Sequence, residues 1–536
     1  MSLERSFASR PRRTRRLAAL ALVAAAVLTA TACGGGDADE TADGRLASEA
    51  QAKPGGSLEL LAVADMLRLD PFGALSNYYL DNSRLNALYD SLMYSEPKTG
   101  RALPQIAESF VADPGGTTWT LKIRPNVKFT DGTAYDAAAV KWTWDEHKKP
   151  ERRSLVAGSA AAIKESRVVD PLTLQVTLNV PNANFDRVVA SSLAFIPSPT
   201  AMRNDPAGFD RKPVGAGPFV LTEHVQDSHL TMTKNPTYWQ AGKPLLDKVT
   251  FRTVVDSDQS MNSVVSGQSD LKVSGGVTDG AKARQRGLAT EQVAVITGEV
   301  LVFNHVKPPF DDVRARRAVA LALDPQGINK IVFNDQGAAT ASMFPAGSPL
   351  VNADAPPLPS ANRAEAQRLA DELAAEGKPL NFTYRIPQNN QAAKTGEYIQ
   401  QQLIGLKNVQ VRIESLSVNA YTTAVRVQRD FEMAQHSWNV ADVEPSVYSY
   451  LHSSSPTNFM GYKSQAVDQV LERGRVTSDP AQRALAYSDL MRQVAQDVPL
   501  WPYQEGRITA YYRDTVGGLV LSQDGMLLMD RLGRRA

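Results

Sequence analysis

The chain has 536 residues and one cysteine, Cys33. A lone cysteine excludes an intramolecular disulfide, so packing must hold the fold. No run after residue 32 reaches the ~20 apolar residues that cross a bilayer as a helix. The sequence contains no His-Glu-x-x-His pair and no Walker loop, which removes two common routes to zinc and nucleotide chemistry. Gly215-Ala-Gly217 is followed by Pro218, which cannot open the helix a dinucleotide turn requires. Gly267-Gln-Ser269 lacks the second glycine of a nucleophile elbow. The six histidines are His147, His224, His229, His305, His436 and His452. His224 and His229 fall in an expected hairpin and are not read as metal ligands. Acidic pairs such as Asp442 and Glu444 are too common to argue for a glycosidase. No metal, cofactor or catalytic residue is therefore expected.

The start of the chain does carry a pattern. Arg5, Arg10, Arg12, Arg13, Arg15 and Arg16 precede an apolar run over 17–32, which ends in small residues before Cys33. A basic head, a short apolar stretch and small residues at its end read as an export signal. Paired arginines leave both the general and the twin-arginine route open. Cys33 followed by Gly34, Gly35 and Gly36 resembles the lipobox of bacterial lipoproteins, with Ala30 where such boxes usually carry leucine. That resemblance implies a lipid on the Cys33 thiol. Removing residues 1–32 takes away six arginines and Glu4, so the formal charge of +1 becomes about −4. A mildly acidic mature chain argues against nucleic acid as partner. Residues 33–53 hold almost no large apolar side chain and read as a disordered tether.

Order is expected from Pro54 onward. Trp119, Leu121 and Ile123 alternate with polar residues, as do Leu172, Leu174, Val176 and Leu178, so both stretches read as half-buried strands. Further strands are expected at 230–233 and 249–255. Asp136 is placed to cap a helix through Val140, Trp144 and His147. Asp311 or Asp312 caps another, running through Leu323 and stopped by Pro325. Helical spacing recurs at 362–376, 394–405, 464–475 and 480–496. Strands followed by strand–helix alternation indicate an α/β protein of more than one lobe. Aromatic and amide side chains gather at Asn77-Tyr78-Tyr79, Trp438-Asn439 and Trp501-Pro502-Tyr503, a composition suited to clefts that hold small organic ligands.

A longer pattern ties these stretches together. Pro104-Gln-Ile-Ala-Glu-Ser-Phe110, Trp119-Thr-Leu-Lys-Ile-Arg-Pro-Asn-Val-Lys-Phe-Thr-Asp-Gly132 and Pro213-Val-Gly-Ala-Gly-Pro-Phe219 stand in order. Lys234-Asn-Pro-Thr-Tyr-Trp239, Ser266-Gly-Gln-Ser-Asp-Leu271, Phe303-Asn304 and Pro309-Phe-Asp-Asp-Val-Arg-Ala-Arg-Arg-Ala318 follow. Together they resemble the family 5 extracellular solute-binding proteins of ABC importers, the group of oligopeptide-, dipeptide- and nickel-binding proteins. Thr130 and Gln268 depart from the usual residues of their motifs.

The resemblance implies a periplasmic-binding-protein-like α/β fold of two hinged lobes with an extra inserted lobe. Lobe I would take 54–85, 215–302 and 501–536, the inserted lobe 86–214, and lobe III 303–500. The hinge crossings would fall near Phe303-Asn304 and Trp501-Pro502. The resemblance also implies a ligand cleft between lobes I and III. In peptide-binding members an aspartate in a W-x-x-D-x-x-D-P region often meets the peptide's amino terminus. Here that region reads Trp438-Asn-Val-Ala-Asp442-Val-Glu444-Pro445, with Glu-Pro in place of Asp-Pro. Asp442 is the expected anchor, or alternatively the cap of the next helix. Trp438 and Asn439 are expected pocket walls, with Tyr78, Asn304 and Tyr503 beside them. The implied function is capture of a solute, foremost a short peptide, for a membrane permease, by a monomer lipid-anchored at Cys33 on the outer face of the membrane. Oligosaccharides, opines and nickel complexes are alternative solutes. An exported hydrolase on a borrowed scaffold and a surface sensor or chaperone are alternative classes.

Overall fold

The computed structural model describes residues 52–66, 68–74 and 79–536. Cys33, the export segment, most of the tether and Tyr78 lie outside the described residues. Ala52 and Lys53, read from sequence as the tether's end, instead pair with Arg534 and Arg535 in a short antiparallel ladder.

Strands expected from period-two patterning form where the apolar set can be buried on one face. In Thr118–Ile123 the residues Trp119, Leu121 and Ile123 are buried, and in Thr173–Leu178 so are Leu174, Val176 and Leu178. These two strands pair with each other and, with Ala107–Ala112 and Ile163–Asp170 outside them, make a four-stranded sheet. Asp136 caps Ala137–His147, its carboxylate accepting from the Ala139 amide. Trp144, Phe185 and Leu193 pack with the sheet into one hydrophobic cluster of the inserted segment.

A second sheet holds ten strands and passes through the rest of the chain. Its order is Val409–Leu416, Leu380–Pro387, Met433–Val440, Ala289–Phe303, Leu500–Tyr512, Leu271–Ser274, Ser57–Ala62, Lys248–Thr253, His229–Lys234, Phe219–Val225. The two middle strands, Ala289–Phe303 and Leu500–Tyr512, are the longest and pair antiparallel with each other. On one side they join the large cluster around Phe303, Tyr384, Tyr487 and Trp501. On the other, Leu500–Tyr512 reaches the smaller cluster of Leu61, Met261, Val264 and Tyr511.

The ladder between these strands slips twice, between Val295 and Gly298 and between Glu299 and Val300. Thr297 and Gly298 both have positive φ, 69° and 104°. A Cβ at Gly298 would lie 2.3 Å from the Gln504 carbonyl oxygen, so only glycine fits this close approach. The chain thus bends at Thr297-Gly298. At the expected crossings, Phe303-Asn304 and Trp501-Pro502, Phe303 and Trp501 are fully buried in the large core.

Several motif residues prove to be scaffold. The Gly217 amide donates to the Leu88 carbonyl at 3.0 Å, and a side chain at Gly217 would meet Ala87 oxygen at 2.3 Å. Asn235 holds the same turn by donating to the Gly217 carbonyl at 2.8 Å. Asp312 caps Val313–Ala322, and Pro325 opens the next helix rather than only ending that one. Arg316 reaches the carbonyls of Asp497 and Val498, which close the helix Pro480–Asp497. Tyr238 and Trp239 both donate to Asp90 Oδ2, at 2.7 and 2.9 Å.

Burial, with Asp530 nearby, pushes the Asp90 carboxyl up to about 7. A carboxyl whose folded pKa exceeds the unfolded value of about 3.9 keeps its proton in the native state alone between those values. Its contribution to stability is therefore lost as pH rises from about 4 to about 7. Asp90→Asn removes that loss. The melting midpoint of Asp90→Asn minus that of wild type is expected to rise between pH 5 and pH 8; a difference independent of pH would contradict the account.

Candidate functional site

The strand Met433–Val440 carries the region singled out from sequence, and its end leads through Ala441 to Asp442. Asp442 is buried and held on three sides. Its Oδ1 accepts from Arg483 on the helix Pro480–Asp497 and from the Glu444 amide. Its Oδ2 accepts from Arg187 on the helix Phe185–Ser192, at 2.9 Å. Burial raises a carboxyl, but the Arg483 and Arg187 charges outweigh it and hold Asp442 below the usual carboxylate range. An ammonium anchored here would have to displace a guanidinium. Asp442 also caps the turn Val443–Val447, the alternative read from sequence.

Next to it, Glu444 takes both arms of Arg475, at 2.8 and 2.9 Å. Burial still pushes Glu444 up despite that partner. Arg475 in turn stacks on the Tyr448 ring. Asn184 of the inserted segment donates to the carbonyls of Arg475 and Thr477, at 3.1 and 2.9 Å, and the Ala183 amide donates to Arg475 oxygen. Helix Phe185–Ser192 and the loop before it are thereby fastened to the segment 442–477. A narrow cavity of about 30 Å³ remains, lined by Tyr79, Arg187, Asn439, Asp442 and Asp524 among others. Asp524 accepts from the Ser522 hydroxyl, and burial pushes its carboxyl up to about 6.

The other residues expected at the site divide by environment. Trp438 is buried, edge-on to Tyr450 with ring centroids 4.7 Å apart. Asn439 is half-buried, lines the cavity and donates to Ser437 Oγ at 3.2 Å. Asn304 is buried and fully used by backbone. Its amide donates to the carbonyls of Arg429 and Phe431, and its oxygen accepts from the Val306 amide. It staples a loop and does not line the cavity. Tyr503 is buried, with its hydroxyl donating to Glu299 Oε2 at 3.4 Å.

Sequence reasoning missed Arg187, Arg483 and Arg475, because nothing local marks their long-range partners. It also missed Glu299, for which a signal existed: one acidic residue inside the apolar stretch 293–303. Arg426 was missed too. Its guanidinium packs over the rings of Tyr450 and Phe459 and pairs with no carboxylate among the described residues.

The cavity lies beside the irregular ladder, since Asn439, which lines it, pairs with Thr297. Residues 101–459 match the family described as "Bacterial extracellular solute-binding proteins, family 5 Middle". The chain belongs to this family. As a family 5 solute-binding protein it is similar to the glutathione-binding protein GsiB of Salmonella paratyphi A, 26% identical over 480 residues, 86% of this chain and 91% of that one. It is 28% identical over 453 residues to GsiB of Pectobacterium atrosepticum, covering 80% of this chain and 85% of the relative. Its fold is that of the oligopeptide-binding protein AppA of Bacillus subtilis, solved with a nonapeptide. The TM-score is 0.77 at 19% identity, covering 91% of this chain and all of the other. AgaA of A. tumefacien R10, solved with agropinic acid, is equally similar in fold, with a TM-score of 0.77 at 22% identity over 90% of this chain and 99% of that one. These are binding proteins of one periplasmic-binding-protein architecture.

Removing one member of a buried ion pair leaves the other charge uncompensated. Asp442→Ala strands Arg483, which is 2% exposed, and should cost about 3–5 kcal/mol in urea denaturation. A loss below about 0.5 kcal/mol, the range of an ordinary surface change, would show that the pair carries no such role.

Proposed function

We propose that this solute-binding protein is the extracytoplasmic receptor of an ABC importer and that its solute is a short peptide. The observation that carries the reading is that Met433–Val440 pairs with Leu380–Pro387 only at Met433 and Ala434, which leaves the rest of that side open. Ser437 is exposed and Asn439 half-buried there, beside the bend of the sheet. A peptide backbone laid along such an edge meets hydroxyl and amide partners without a fixed demand on side chains. Relatives named for glutathione, itself a tripeptide, support the same substrate class.

The lobes are proposed as 54–85 with 215–302 and 501–536 for lobe I, 86–214 for the inserted lobe, and 303–500 for lobe III. Closure turns on Thr297-Gly298 and the facing Glu505-Gly506, where the ladder slips. A few torsions in such a segment suffice for a hinge. The closed surface is what a membrane permease then recognises. The protein works as a monomer without covalent chemistry. A diacylglycerol thioether on Cys33 would keep it at the membrane, since two acyl chains hold where one is marginal. Among the described residues no helix is long and apolar enough to cross a membrane.

A ligand that binds only the native state stabilises it by about 2.7 kcal/mol at a hundredfold excess over its Kd. Peptides of two to six residues, glutathione included, are expected to raise the melting midpoint of the protein lacking residues 1–32. Oligosaccharides and nickel chelates are expected to leave it in place. The opposite pattern would replace the peptide by another solute.

A further inference from the structure

Glu299 sits just past the bend at Gly298, on the strand that crosses between the two halves of the sheet. Its Cα partners Ser437, so the two side chains share a face of the sheet. Ser437 is exposed and Glu299 is itself partly accessible, although both lie on central strands of a ten-stranded sheet. The hydrogen-bonding groups around the Glu299 carboxylate are Tyr503, Ser437 and Gln435, all neutral. No lysine, arginine or histidine is within ion-pair distance among the described residues. Its surroundings therefore push the carboxyl up by burial.

Two carboxylates of the neighbouring segment differ from Glu299. Asp442 and Glu444 each hold arginine. Glu299 holds none, and the residue paired across from it, Ser437, is exposed. An ionised carboxylate in a poorly solvated place is costly unless a cation meets it. A carboxylate left without one beside a ligand cleft is a specificity element awaiting its counter-charge.

We propose that Glu299, with Ser437 beside it, binds a positively charged group of the solute, an ammonium or guanidinium. This rests on the reading of the cleft as a peptide site. It moves the cation anchor from Asp442, whose oxygens face arginines, to the root of the hinge, where both halves of the sheet meet around the ligand. A cation there also ties binding to closure, because the carboxylate is supplied by a crossing strand.

Three probes separate the possible sources of the charge. Ala-Ala-Ala carries only an amino-terminal cation, N-acetyl-Ala-Lys-Ala only a side-chain one, and N-acetyl-Ala-Ala-Ala none. Calorimetric titration of wild type is expected to show one or both cationic peptides binding tighter than the uncharged one, on the order of thirtyfold or more. Whichever cationic peptide is preferred identifies the source. Glu299→Gln is expected to abolish the preference. Ser437→Lys, at an exposed position that leaves the core alone, places a tethered cation beside Glu299 and should abolish the preference too. Equal binding of all three peptides by wild type, or a preference that survives both substitutions, overturns the proposal and leaves the peptide reading standing. Failure of all three to bind wild type overturns the peptide reading and this proposal with it.

Discussion

The pairing of Ala289–Phe303 with Leu500–Tyr512 is the constraint on which the rest depends. Both strands lie in the middle of the ten-stranded sheet and enter the large core, and Leu500–Tyr512 also reaches the small core through Tyr511. Hydrogen bonds perpendicular to the strands keep the two halves in register. The slips at Val295/Gly298 and Glu299/Val300 interrupt that ladder at one level only. The irregularity is thereby confined to a short zone, the one proposed above as the hinge.

Charge distribution follows from this geometry. Where the inserted segment meets 442–477, carboxylates and guanidiniums are matched and backbone carbonyls are filled by Asn184 and Ala183. In the proposed closure these contacts join the inserted lobe to lobe III, so they would weigh on the balance between open and closed forms. A matched buried pair adds little net stability over an apolar contact, but it fixes how two surfaces meet. At the hinge itself the pattern inverts, and Glu299 is surrounded by neutral donors. A polypeptide that spends its arginines on the latch and leaves the hinge carboxylate unmatched separates docking of the lobes from recognition of the solute.

Much of the scaffold was legible in the sequence. Period-two patterning marked Thr118–Ile123 and Thr173–Leu178, because burial on one face of a sheet leaves that trace. Capping aspartates marked Ala137–His147 and Val313–Ala322. The order of ten strands was not legible from local pattern, since pairing is a long-range property. A hinge was expected near Phe303-Asn304 and Trp501-Pro502, whereas the break in the ladder and the close approach that admits only glycine lie at Gly298. The site was legible as a segment and not as chemistry. Asp442 lies 255 positions from Arg187 and 41 from Arg483, and no local feature announces either partner. Counting from Trp438, the fourth place of the W-x-x-D pattern is Ala441, so one residue of register separates a free anchor from a paired one.

The proposed closure requires that the two halves of the sheet move about Gly298 and that the Arg187–Asp442 pair holds the closed form. Spin labels at Lys164 in the inserted segment and at Lys378, both exposed, report that motion directly in a Cys33→Ser background. Pulsed electron resonance of the peptide-free protein should give two distances, with saturating peptide collapsing them to the shorter and Arg187→Ala enriching the longer. A single distance that neither peptide nor Arg187→Ala alters would contradict the account.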